Sequence, residues 1–393
     1  MMIVIRWTGV EVRALRTQAL RRTQSEFADL IGYSEAVVRK WEGRGETITL
    51  AGQFAAAMDT LLRRLDDEQS ERFRRALPAD STVSAPVTDR SAAVVASRLP
   101  ELRRVLDAYD LVDDGPVRAI EQLRDAVTAV VSDRLNSNYT RLAYALPDLL
   151  SELLRARSIC SGSQLADIDR LLVQGYRAAD AIAVKYGHYD LSARIIGMMH
   201  DSAMSASDEL VLAATAYVRT ETFFVSGELT AGRKLLERAA EAVDPASSTP
   251  AAATYGSLHM RAGVAAARGY FAADARAHLN EAARVARLVP EGVYFGTAFG
   301  PSSVRIHQVS LGVELGDPGS ALAAAQDWVP TGSIPAERRS HYFIDMARAH
   351  LQANHRDDAH AALKSAQLVA PEHTNSHPQV KEMLARLAAD QPV

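Results

Sequence analysis

The feature that most constrains this chain is a block that recurs beyond residue 92: a turn, a small residue just after it, then apolar or small residues four and seven places on. The clearest copy runs from Phe343, Met346 and Ala347 through Asn354-His355-Arg356-Asp357-Asp358-Ala359 to Leu363, Ala366 and Pro371. Looser copies centre on Gly187-His188-Tyr189 with Ser192, Ile196 and Met199, and on Gly227-Glu228-Leu229 with Gly232, Leu236 and Ala239. Two more centre on Gly269-Tyr270-Phe271 with Ala275, Leu279 and Ala282, and on Gly316-Asp317-Pro318 with Ala321 and Ala325. Steps of four and seven stay on one helix face, so each block predicts a helical hairpin. The small residue lets the two helices approach closely, and stacking hairpins buries faces that none could bury alone. Almost no stretch alternates with period two, which argues against sheet. Composition bears on the same point: the hydrophobic 48% comes mainly from Ala, Leu and Val while aromatics are only 6%, a mixture suited to tight helix packing. The expected fold class is all-α.

The blocks resemble tetratricopeptide repeats, the copy at 343–371 from its first helix to its closing proline. Their spacing of roughly forty residues exceeds the roughly 34 of the standard repeat, so they read as stretched copies. Helices around 117–131 and 142–157 are expected to extend the stack. Ahead of it, Pro78-Ala79-Asp80-Ser81-Thr82-Val83-Ser84-Ala85-Pro86 is rich in Ser, Thr and Pro and has no apolar period, as a linker should. The expected organisation is a small head at 7–77, a linker at 78–91, and a helical repeat domain at 92–393 that senses and dimerises.

The lone Cys160 cannot form an internal disulfide or a cysteine-based zinc site, which fits a reducing cytoplasm. The opening Met1-Met2-Ile3-Val4-Ile5-Arg6-Trp7 is too short for a signal-peptide core, and no segment has the apolar length of a membrane span. A net charge of −4 argues against nucleic acid only if it is uniform; a basic head can sit on an acidic body.

The head carries the functional argument. Thr23 with Glu26 makes a capping box, and Phe27, Ala28 and Ile31 form an apolar helix face. Gly32 stands where that helix must end in a left-handed conformation, and Ser34 caps a second helix whose buried face is Val38 and Trp41. Glu35, Ala36, Val37, Arg39 and Lys40 are then left to point outward. In a helix-turn-helix this half of the second helix enters the major groove, where Arg39 and Lys40 donate to guanine edges or phosphate, Glu35 accepts from cytosine, and Ala36 or Val37 touches a thymine methyl. Gln24 and Ser25, at the start of the first helix, are placed for phosphate. Arg13, Arg16, Arg21, Arg22 and Arg44 add local positive charge.

At Gln24, Ala28, Gly32, Ser34, Val38 and Trp41-Glu42 the segment resembles the Cro/C1-type (XRE) helix-turn-helix family over about residues 10–65. With Trp7-Thr8-Gly9 and Phe299-Gly300-Pro301 to His307, the chain is similar to actinobacterial regulators that join this head to tetratricopeptide repeats. The segment Arg44-Gly45-Glu46-Thr47-Ile48-Thr49 departs from the family by lacking a proline before the next helix. The layout also resembles that of the peptide-responsive quorum-sensing receptors of Gram-positive bacteria. The resemblance implies a cytoplasmic, dimeric transcription regulator that binds a palindromic double-stranded operator and takes a signalling peptide or small molecule into the groove of its repeats. The family register turns Gln174, Arg177, Tyr217, Glu221, Phe224, His259, Ser303 and Arg348 toward that groove, with Asn138, Arg141 and His307 beside them. Phe223 and Phe224 cannot both face one way on a helix, so one of them is core. The rival readings are a repeat-based interaction adaptor and an antitoxin-like repressor.

Catalytic patterns are missing: there is no phosphate-binding glycine loop, dinucleotide fingerprint, metalloprotease helix or nucleophile elbow, so no enzyme and no cofactor are expected. Asp113-Asp114 beside Gly115-Pro116 reads as a turn. His373 and His377 have ligand-like spacing, but Pro371 and Pro378 make the stretch a poor helix and nothing nearby in sequence completes a site, so no metal is expected.

Overall fold

The computed structural model describes residues 2–4, 7–50, 53–77, 82–84 and 90–389. Among these residues the chain is all-helical apart from two short antiparallel strand pairs, and its roughly twenty helices pack as sequential pairs, consistent with a helical repeat array. None of these helices is long and apolar enough to cross a membrane. Contacts divide the chain into two compact units: Met1–Thr88 with His350–His360 and Pro378–Val393, and Asp89–Ala349 with Ala361–His377.

In the first unit, helices Gly9–Ala14, Gln24–Ile31, Glu35–Arg44, Gln53–Arg63 and Asp67–Ala76 enclose a core of Trp7, Val12, Leu15, Phe27, Val38, Trp41, Met58 and Phe73. Trp7 stacks on Phe73 with centroids 5.9 Å apart and donates its indole N–H to Asp59 at 2.6 Å. That carboxylate also pairs at 2.5 Å with Arg386 of the C-terminal helix Pro378–Ala389, which belongs to this unit although its sequence reads as part of the repeats. Within the stretch read as a linker, Thr82–Ser84 forms a strand paired with Met2–Val4, and helix Arg90–Asp107 starts inside its last two positions. Residues 78–81 and 85–89 of that stretch lie outside the described residues.

In the second unit the turns between paired helices rest on left-handed residues. Gly187, Gly227 and Gly316 have φ of 81°, 81° and 70°, a region where a side chain is costly. In the block at 269–271 the left-handed residue is Tyr270, at φ 63°, one place later than its glycine suggests. Behind the turns, Ala275 and Ala321 are fully buried, and a methyl group added to Gly312 would come within 2.9 Å of the Ala321 Cα. Small residues therefore set the distance between paired helices. The unit also holds a hairpin that the sequence reading did not foresee, Gly292–Tyr294 against Thr297–Phe299. Its two-residue tip, Phe295 and Gly296, has positive φ at both positions, 45° and 75°, as a tight hairpin turn requires.

Candidate functional site

In the first unit the residues near the exposed helix pair are fixed from both ends. The amide of Glu26 donates to Thr23 Oγ1 at 3.2 Å and the amide of Thr23 donates back to Glu26 Oε2 at 2.9 Å, closing the expected capping box. Those Thr23 donors hold the Glu26 carboxyl below its ordinary value. Gly32 ends the helix at φ 72°. Trp41 then lies edge-on to Tyr33 and Phe54, at 5.7 and 5.3 Å, which sets the rotation of helix Glu35–Arg44 about its axis.

With that rotation Ser34, Ala36, Arg39, Lys40 and Arg44 are exposed, as is Ser25 on the preceding helix. Glu35 is half-buried and forms an ion pair with Arg39 one turn on. Four expectations are corrected. Ser34 occupies the N-cap position, but its side chain makes no capping bond. Val37 is not turned outward; it is half-buried and packs on the core. Gln24 is also held inside, donating its amide to Glu42 Oε2 at 2.8 Å. Arg16 grips the same Glu42 carboxylate through Nε at 2.6 Å and Nη2 at 2.8 Å, so it is a structural residue and not free positive charge. Burial pushes the Glu42 carboxyl up, but Arg16 and Gln24 outweigh it and hold the group below its ordinary value.

In the second unit the structure brings some of the expected groove residues together and separates others. Arg177, Tyr217, Glu221, Phe224 and His307 share one network. Arg177 and Arg261 lie over the Tyr217 ring at 5.7 and 5.1 Å, and Arg261 also lies over Phe224 at 4.4 Å while pairing with Glu221. Arg338 lies 3.4 Å from the Tyr217 hydroxyl, to which it donates, and 3.5 Å from His307 Nε2. Gln174 lines a pocket of about 90 Å³ with Val173, Arg177, Val211, Val218 and Phe295. The remaining residues are spent elsewhere. Ser303 is fully buried and donates to Glu291 at 2.5 Å, and Arg348 is held between Glu314 and Asp345 at 3.0 and 2.9 Å. His259 contacts His278, while Asn138 and Arg141 both reach Asp133.

Sequence reading missed Arg134, Arg261 and Arg338. Arg134 carried a signal: it continues the buried helical stripe Leu123, Val127 and Val130, where a charge needs a reason to be. Its Nη2 donates to the Gly296 carbonyl at 2.5 Å, and Arg177 donates to the Phe295 carbonyl at 2.5 Å and to Thr297 Oγ1 at 2.6 Å. Burial, with Arg134 beside it, pulls the Arg177 guanidinium down to about 9.

The histidine-rich end also differs from expectation. Tertiary packing brings His341 to His373 and His377, with one nitrogen of each within 4.8 Å of the others, and Pro371–Ser376 is a short helix after all. Lys185 Nζ stands between two of these rings, 3.2 Å from His341 Nε2 and 3.1 Å from His373 Nε2, where a shared cation would sit.

Two opposing titrations follow from burial. Desolvation holds His307 down to about 3 and His373 well below its ordinary value. Each contributes stability that is complete above the unfolded value near 6.5 and is lost as pH falls below it, at roughly 1.4 kcal/mol per pH unit. Desolvation pushes buried Asp180 up to about 7, so its contribution is complete below the unfolded value near 4 and is lost as pH rises through 7. Between pH 7.5 and 5.5 the aspartic acid therefore offsets the histidines. Asp180→Asn should lose about 2 kcal/mol more than the parent chain over that interval, measured by urea denaturation at both pH values. An unchanged pH dependence would show that Asp180 is ionised in the folded protein.

No family model matches this sequence, and no curated protein does. Among solved structures, BtubC (BKLC) from P. vanneervenii is a weak structural match, at 15% identity and a TM-score of 0.36, covering 66% of this chain and 94% of that one.

Proposed function

We propose that this chain is a sequence-specific DNA-binding regulator whose first unit reads an operator and whose second unit senses a ligand. The observation that carries the reading is the exposed face of helix Glu35–Arg44. Ala36, Arg39, Lys40 and Gly43 recur there at intervals of three and four, all exposed, behind a helix capped at Thr23 and closed at Gly32. Small residues at 36 and 43 let such a helix lie close in a groove, while the cations between them meet guanine edges and phosphate. The family resemblance adds a dimer on two half-sites about one helical turn apart. The sensing half is supported by the network around Arg177 and Tyr217, which gathers more buried charge than helix packing calls for.

Selection of bound duplexes from a random library with the full-length chain tests the first half. The expected result is enrichment of one motif with inverted half-sites. Retention that is independent of sequence and disappears at moderate salt would overturn the assignment.

A further inference from the structure

The two buried arginines of the second unit have an unusual partner. Arg134 and Arg177 are each more than nine-tenths buried, and among the described residues neither has a carboxylate within ion-pair distance. Their hydrogen bonds go to the carbonyl oxygens of Phe295 and Gly296 and to Thr297 Oγ1, and among the described residues Arg134 Nε is buried with no partner. Backbone carbonyls carry only partial charge, whereas a guanidinium taken out of water is best matched by an anion that accepts a pair of bonds. With Lys185, Arg261 and Arg338 the two arginines make five cations, against the four carboxyl groups of Asp180, Glu221, Glu291 and Glu337. The hairpin tip thus sits where the local charge favours an anion.

The hairpin is also short. Its strands are three residues each, too short to be stable by themselves. The hairpin base is fixed by Phe299, which is fully buried against Gly256; at the tip the two arginines hold the backbone carbonyls and the Phe295 ring packs half-buried against the core. Beside Phe295 the pocket is about 90 Å³, well below the ~300 Å³ at which ligand sites begin. Withdrawal of the tip would enlarge it.

We infer that Arg134 and Arg177 form a binding site for a carboxylate and that the hairpin tip, Phe295 and Gly296, is an internal plug whose carbonyl oxygens hold the carboxylate positions until ligand displaces them. The inference rests on the sensor reading and names the ligand chemistry of that sensor: a peptide C-terminus or a small organic acid. Acetyl-Tyr-Phe-Gly with a free carboxylate copies the tip sequence; its C-terminal amide and succinate are the companion probes.

Calorimetric titration of the full chain should show that the carboxylate peptide binds and the amide does not, with succinate binding if the anion alone suffices. Gly296→Ala places a methyl group 3.0 Å from Arg134 Nη2 and 3.1 Å from Arg177 Nη1 on a left-handed backbone. It weakens the plug, so the peptide should bind this variant about fivefold or more tightly. Arg177→Gln should abolish binding, and helical circular dichroism shows whether that variant is folded. Amide hydrogen exchange across residues 292–299 should rise when the peptide is added. Equal affinity for acid and amide, no binding even to Gly296→Ala, or unchanged exchange in the hairpin would each overturn the proposal. Retention of duplex, measured in the same samples, separates the two readings. Peptide binding that leaves duplex affinity unchanged removes the sensor role and leaves the carboxylate site. A ligand that shifts duplex affinity without touching the hairpin does the reverse.

Discussion

Replacing Arg39 and Lys40 together by alanine should weaken operator binding by between ten and ten thousandfold while leaving the stability of the chain within about 0.5 kcal/mol of its original value. Both side chains are exposed, so nothing in the core depends on them. Arg39 is paired with Glu35 one turn away, but an exposed pair of this kind is worth only about 0.3–0.5 kcal/mol. A bidentate contact to guanine contributes about 1–3 kcal/mol, so exchanging the first for the second is favourable. Among the described residues Lys40 has no such partner to lose, and if it meets phosphate its removal should lower the salt dependence of log K by about 0.9. Glu35→Ala separates two roles for the acid. Relaxed preference at one base pair means that Glu35 reads cytosine; uniformly tighter binding means that it merely restrains Arg39. Duplex affinity unchanged in the double variant would remove the DNA-reading role.

How much of this was legible beforehand varies with the range of the interaction. The capping box at Thr23 and Glu26 and the left-handed Gly32 depend on residues within one turn, and they were readable from local pattern. The helix pairing of the second unit followed from small residues at fixed intervals, because close approach needs them wherever the partner lies. By contrast, Gln24 and Val37 matched their expected helix positions but not their expected freedom, since Glu42, eighteen residues away, claimed the first and the packed core of the unit the second. The same limit applies to the groove residues. Register turned Ser303 and Arg348 toward the interior, but Glu291 and Glu314 use them for structure. The hairpin at 292–299 was missed because six strand residues are too few to show a period; its one local trace was Gly296 between short apolar runs. The cluster of His341, His373 and His377 was hidden because its members come from two helices and the segment after the second.

Two glycines in the first unit should respond with opposite signs to the same substitution, which tests whether the packing that fixes the exposed helix is as tight as its distances imply. Gly9 opens helix Gly9–Ala14 behind the Thr8 cap, and a methyl group there would overlap the Trp41 carbonyl oxygen and come within 2.9 Å of the Gly45 amide. These are backbone atoms of helix Glu35–Arg44 and its end, and no rotamer change moves them aside. Overpacking in a core ordinarily costs about 1–3 kcal/mol, and contact with fixed backbone belongs at or beyond the upper limit, so Gly9→Ala should cost about 3 kcal/mol. Gly43 lies inside the same helix, exposed, with nothing within 4 Å of the added carbon. There alanine removes only the entropic disadvantage of glycine, and Gly43→Ala should gain roughly 0.5–1 kcal/mol. Urea denaturation followed by tryptophan fluorescence suits the comparison, because Trp7 and Trp41 are both buried in this unit. Because the Gly9 contact fixes where helix Glu35–Arg44 sits, Gly9→Ala should also weaken duplex binding under conditions where the unit is still folded. Gly43→Ala should weaken it too, with no loss of stability, because the small residue at 43 is what lets the helix lie close in a groove. Equal stability of the two variants would mean that the helices are farther apart than described, and that the face bearing Arg39 and Lys40 is not held in place by Gly9.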